Sequence, residues 1–224
     1  MKEYRKIIDT PVVLLKLDDV KSLMKILIEG IPEHTHAFEF SIHHDDVQIR
    51  ADNLDDLFSQ ELPNEIDGLT CSVKGWTQDN TIDRGIFLSF RKTVSDYQIH
   101  AHDEAWFLGK IEQVNSFLEK KKPWYTNFSK HFASLNGIFT GIFSMIFIFL
   151  IAKEMYIFSL APLIMVYILH SSFQKYQDGK LFPKTKIILK EDIKRTNYEL
   201  WSFIVSILSL VATGVGVFLT YNPD

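Results

Sequence analysis

Residues 132–152 read FASLNGIFTGIFSMIFIFLIA, 21 positions with no charged side chain. A helix rising about 1.5 Å per residue carries such a run across roughly 30 Å of hydrocarbon, so the stretch predicts a membrane-spanning helix. Working outward, Lys153-Glu154 interrupts the apolar character for two residues, and residues 155–173 then run on without Asp, Glu, Lys or Arg. Pro162 lies inside this second run, where a membrane helix tolerates it as a kink. The two runs predict a helical hairpin. A third uncharged run, 200–221, carries Trp201 and Tyr221 at its ends, aromatic side chains that favour the headgroup boundary.

Basic residues near a bilayer are retained on its cytoplasmic side. Lys120, Lys121, Lys122 and Lys130 precede the first span, and seven Lys or Arg residues lie in the loop 174–199, against Lys153 alone on the opposite side. The expected topology is therefore multi-pass in the plasma (inner) membrane, with the N-terminus and loop 174–199 cytoplasmic and the C-terminal Asn222-Pro223-Asp224 outside. No apolar stretch in Met1–Thr10 could serve as a signal peptide, so the later helices are expected to direct insertion. Lys120, Lys121, Lys122, Trp124 and Tyr125, with Trp201 and Tyr221, are the expected interface anchors, the lysines drawn to anionic headgroups and the rings fixing depth. Gly137 with Gly141, and Ala212 with Gly216, are each four apart and share a helix face, a spacing that lets helices pack closely within one chain or between copies.

Before the first span the composition is that of a soluble domain, so the mean hydropathy of +0.02 averages two halves of opposite character. A net charge of −4 and the lack of a basic stripe exclude a nucleic-acid-binding domain of the usual kind. The single cysteine, Cys71, cannot form an internal disulfide and reads as a small core residue.

Alternation of apolar and polar residues predicts strands at 12–17, 38–42, 47–50, 69–77, 86–90 and 97–101. Helices are expected from a cap at Asp18 or Asp19 to Gly30, near 54–58, and over 104–121. His43-His44-Asp45-Asp46 forms a hairpin tip, and Asp79-Asn80 and Ser95-Asp96 read as turns. The domain expected over 1–122 is thus α+β, a mainly antiparallel sheet with helices on one face. It is followed over 123–224 by an all-α membrane domain of three transmembrane helices. Thr185–Leu189, a β-favouring run in the cytosolic loop, is expected to dock on the N-terminal domain as an extra edge strand, with pairing between chains as the competitor.

No Gly-rich phosphate cradle, nucleophile elbow, zinc-protease helix or Cys-x-x-Cys pair is present. His100 and His102 share one strand face with Asp103 following, a candidate metal pair that needs a further ligand, with His43, His44, Asp45 and Asp46 as its sources. Adjacent strand residues face opposite ways, however, and polar hairpin tips are usually solvated, so the expectation is no metal and no cofactor. The acidic run Asp52, Asp55, Asp56, Glu61, Glu65 and Asp67 lacks calcium-loop spacing and reads as a solvated surface. The layout is similar in outline to that of many bacterial membrane proteins, a likeness that implies no activity.

These features point to a non-enzymatic, membrane-anchored sensor or interaction module that self-associates and takes a protein partner or ligand through its cytosolic domain. The alternative is a membrane-perturbing effector or small channel gated by that domain, as in a defence or toxin module. The third reading is a membrane-bound enzyme whose site lacks a familiar signature.

Overall fold

The computed structural model describes residues 3–31, 36–45, 47–52, 54–59, 61–77 and 81–190, together with Val205 and Ser209. The expected third span, with Trp201, Ala212, Gly216 and Tyr221, lies outside the described residues except for Val205 and Ser209. In chain order the elements are β1 (Tyr4–Asp9), β2 (Val13–Lys16), α1 (Leu17–Ile28), β3 (His36–His44), β4 (Val47–Ala51), α2 (Leu54–Ser59), β5 (Glu65–Ile66), β6 (Gly68–Trp76), β7 (Ile82–Arg91) and β8 (Ser95–Ala101). They continue with α3 (Glu104–Glu119), α4 (Thr126–Ala152), α5 (Tyr156–Gln177) and β9 (Thr185–Ile188).

Two compact units result, one formed by Met1–Thr126 with Pro183–Asp192, the other containing Asn127–Phe182. The first unit is α+β and is built on an antiparallel sheet of order β1-β8-β7-β6-β3-β4. Strict alternation explains its single buried face. Tyr97, Ile99 and Ala101 of β8, Ile86, Leu88 and Phe90 of β7, and Leu69, Cys71 and Val73 of β6 all enter one core, while the residues between them stay half-buried or exposed. Val20, Leu23, Met24 and Leu27 of α1 and Phe107, Val114 and Leu118 of α3 recur at helical spacing and fill that core from one side.

Several details differ from the sequence expectation. β1 was not foreseen, because Tyr4–Asp9 is charged and shows little alternation; it exists because β8 accepts it as an antiparallel partner from Tyr4↔Ala101 to Asp9↔Asp96. α1 begins at Leu17, ahead of the start that a cap at Asp18 or Asp19 requires. Lys16 holds the cap position, and Asp19 reaches back to accept the Lys16 backbone N–H at 3.0 Å. Ser95-Asp96 is the start of β8 rather than a turn. Glu65–Ile66, read as part of a turn-rich stretch, is the short strand β5.

The far end of α1 is closed by other elements. Gly30 follows it with a φ of 78°, the left-handed conformation that favours glycine, and a Cβ there would meet Trp106 Nε1 at 2.8 Å. Lys110 of α3, only 3% exposed, donates from Nζ to the carbonyls of Ile26 at 2.7 Å and Glu29 at 2.8 Å. A cation placed on the last carbonyls of a helix satisfies otherwise unpaired acceptors and opposes the helix dipole.

β9 follows both apolar helices in sequence yet belongs to the first unit. It pairs in parallel with β2, Val13↔Thr185 through Lys16↔Ile188, and antiparallel with β5, Glu65↔Ile188 and Ile66↔Ile187. It is therefore the middle strand of a three-stranded sheet, β2-β9-β5, and not an edge. The reason is apolar content: Ile187 and Leu189 join the core beside Val13, Leu15 and Ile66.

In the second unit, α4 has 27 residues and α5 has 22, both long and apolar enough to cross a membrane. At 1.5 Å per residue they reach about 40 Å and about 33 Å. α4 starts before the expected 132, so Lys130 and His131 lie within it, and α5 runs unbroken through Pro162. Ile138, Phe139, Met145, Ile148, Phe149, Ile157 and Tyr167 are exposed.

If β9 is a core strand, Ile187→Ala will destabilise the first unit by about 2–4 kcal/mol. Denaturant unfolding of the detergent-solubilised full chain measures this; a loss under about 0.5 kcal/mol would show that β9 contributes nothing to the core.

Candidate functional site

Three chain segments meet at Ser95, which is fully buried at the start of β8. Its hydroxyl donates to the Arg91 carbonyl at 2.8 Å and accepts the Arg91 N–H at 3.0 Å, closing the β7–β8 turn on itself. Thr185, at the head of β9, has its Oγ1 2.8 Å from the same oxygen. Because the single Ser95 proton goes to Arg91, Thr185 is the donor, and the hydroxyl of Ser95 makes all three bonds available to it. The Ser95 carbonyl accepts both the N–H and the hydroxyl of buried Thr10, each at 3.0 Å. Next to this knot, Lys184 N–H donates to the Lys92 carbonyl at 2.7 Å, Val13 N–H donates to the Lys184 carbonyl at 2.9 Å, and Lys184 Nζ pairs with Asp9. The turn, the entry to β2 and the head of β9 are thus tied together by hydrogen bonds.

A charged cluster continues from the turn. Lys92 Nζ pairs with Asp67, whose Oδ2 also accepts the Asp45 N–H at 2.7 Å, while Asp67 N–H donates to the His43 carbonyl at 2.9 Å. Burial by itself would raise Asp67, but the hydrogen bonds from Lys92 and Asp45 and the nearby positive charge outweigh it and hold this carboxyl below its ordinary range. Asp19 behaves alike: burial works to raise it, and Lys121 and the Lys16 N–H win and depress it. His44 lies beside Asp67 and Asp45, with Nδ1 3.9 Å from Asp67 Oδ2 and Nε2 3.7 Å from Asp45 Oδ2.

The sheet face opposite the core carries a row across five strands: Ile7, Gln98, Phe87, Ser72 and Glu39 stand opposite one another in β1, β8, β7, β6 and β3. Ile7 and Phe87 are exposed there, an apolar pair in a polar surround.

Of the residues singled out from sequence, His100 and His102 do share a face, their rings 5.5 Å apart, but His100 Nε2 faces Glu3 at 3.2 Å. Asp103 caps α3, accepting the N–H groups of Ala105 at 2.9 Å and Trp106 at 3.2 Å, so it is engaged as a cap and is no third ligand for that pair. His43 and His44 point to opposite sides, and it is His44 that finds acidic company, from Asp67 rather than from the histidine pair. Lys121 is bound to Asp19 at 2.6 Å and Lys122 to Glu119, leaving exposed Lys120 as the lysine of that run with no ion pair among the described residues. Trp124 is 74% exposed. Tyr125, expected at the headgroup boundary, is instead buried and donates to the Pro183 carbonyl at 3.3 Å; burial pushes its phenol up to about 12. Gly137 and Gly141 have no atom within 4 Å of a built Cβ, so neither faces α5.

Two contributions escaped the sequence reading. Asn136, buried inside the first apolar run, donates from Nδ2 to the Leu169 carbonyl of α5 at 3.0 Å. A lone amide in an uncharged run is the signal that points to it. The Ser95 knot carries no such signal, because its members lie far apart in sequence. Burial raises the Cys71 thiol far above its ordinary value and keeps it protonated, as its place in the core requires.

The chain matches no protein-family model, no curated protein and no solved structure.

Ser95→Ala leaves the part-buried Arg91 N–H and the buried Thr185 hydroxyl without their acceptor, and is expected to cost about 1–3 kcal/mol in unfolding free energy. Thr185→Val, removing the donor alone, will cost less. Both depressed carboxylates stabilise the folded state above their ordinary value of 3.8, and that contribution disappears as pH falls through their lower folded values. Thermal melts of Asp19→Asn and Asp67→Asn against pH will therefore show a flatter acid limb than the wild type; parallel limbs would refute the assignment.

Proposed function

We propose that this chain is a multi-pass membrane protein whose α+β unit lies in the cytoplasm as a non-enzymatic sensor or interaction module. The observation that carries the reading is β9. The chain leaves the first unit at Thr126, passes through two apolar helices, and returns to supply the middle strand of β2-β9-β5. Seven residues, 178–184, separate α5 from β9. A disturbance of β2, β5 or the β7–β8 turn therefore pulls on a strand joined by a short tether to a helix of membrane length, which is what a sensor requires.

Membrane insertion is supported by the exposure of the apolar side chains on α4 and α5. In water so large an apolar surface would drive association, whereas hydrocarbon accepts it without cost. The orientation rests on the basic flanks, and the third span, 200–221, rests on its composition. The open row holding Ile7 and Phe87 is the face offered to a partner, since an apolar pair ringed by polar groups is the pattern of a modest protein contact.

Orientation is tested by single cysteines in a Cys71→Ala background. On intact cells an impermeant maleimide will label Tyr156→Cys and spare Val47→Cys; labelling at residue 47 overturns the cytoplasmic placement. The interaction reading is tested with a photoreactive residue at position 87, which is expected to yield a discrete adduct in cells. No adduct, together with leakage from vesicles containing the purified chain, would move the protein to the channel class.

A further inference from the structure

We propose that His44, Asp45 and Asp67 bind a borderline divalent cation of the zinc or manganese type, in competition with the ammonium of Lys92. One ligand atom from each of the three residues lies within 4.8 Å of the others, a spread that small side-chain rotations contract to bonding distance. The mixture of one imidazole nitrogen and two carboxylate oxygens suits cations between the hard and soft extremes. The backbone around the cluster is held in place, while the Asp45 carboxylate, 84% exposed, is free to turn toward an ion. The Asp45 N–H holds Asp67 Oδ2 at 2.7 Å, and the Asp67 N–H holds the His43 carbonyl at 2.9 Å, so the β3 end and the β5–β6 junction are already locked together.

A second observation is independent of the acidic groups. Nδ1 of His44 is closed to solvent and makes no hydrogen bond, although the ring itself is partly exposed. A buried polar nitrogen without a partner forfeits the hydration it would have outside, and a metal ion is a partner that suits a neutral imidazole facing two carboxylates. Lys92 is what now balances Asp67. Two carboxylates and one ammonium leave the cluster with a charge of about −1, so a divalent cation is the better counter-charge and must displace the lysine to bind.

The site stands on these side chains alone. Its consequence rests on the sensor reading above: the Lys92 carbonyl holds the Lys184 N–H at the head of β9, so freeing the Lys92 side chain loosens the turn on which β9 depends.

The test uses the full chain in detergent, titrated calorimetrically with Zn²⁺ and with Mn²⁺. One ion per chain is expected for the cation that fits. His44→Ala and Asp67→Asn will each weaken binding by about tenfold or more. Lys92→Met will tighten it, and His100→Ala will leave it unchanged. His44→Ala removes a partly exposed ring and keeps the test valid if Asp67→Asn unfolds, with circular dichroism as the check. Failure of both metals to bind, binding indifferent to His44→Ala, or no tightening in Lys92→Met overturns the site. Hydrogen exchange reads the coupling separately: the metal is expected to speed exchange at the 184–188 amides. Stoichiometric binding without that change leaves the site standing and removes the coupling.

Discussion

The parallel pairing of β9 with β2 is the constraint on which the rest of this structure depends. A parallel neighbour cannot be reached by a tight turn; it requires a crossover, and the crossover here contains two helices of membrane length. The first unit is consequently incomplete until the chain has passed through α4 and α5 and come back. Ile187 enters the core between the strands that carry Val13, Leu15 and Ile66.

Around that strand the polar groups are paired by residues distant in sequence. Ser95 joins Thr10, Arg91 and Thr185, and Lys110 supplies the last carbonyls of α1 from another helix. Buried polar groups of this kind define one arrangement closely, because every alternative leaves a donor or acceptor unpaired at a cost of about 1–3 kcal/mol. In the second unit Asn136 plays the same part. It ties α4 to the Leu169 carbonyl, and aromatic contacts of Phe132 with Tyr176 and Phe182 pack the same pair of segments. Tyr176 adds a second directional bond, donating its hydroxyl to the Ser129 carbonyl at 3.2 Å, and where packing is mostly between apolar side chains such bonds help to set the register of two helices.

What the sequence by itself determined follows from periodicity and composition. Alternation of period two located β3, β4, β6, β7 and β8, the spacing of Val20, Leu23, Met24 and Leu27 located α1, and uncharged length located α4 and α5, because each of these patterns is local to its own element. The β-character of Thr185–Leu189 was equally visible. Only the tertiary structure decided that this run is a middle strand, that the charged segment Tyr4–Asp9 pairs with β8, that Tyr125 is buried, and that His44 stands beside Asp67. Those outcomes turn on partners 20 to 170 residues away. A residue carries its own polarity and shape in the sequence, but which group satisfies it is settled only when the chain closes.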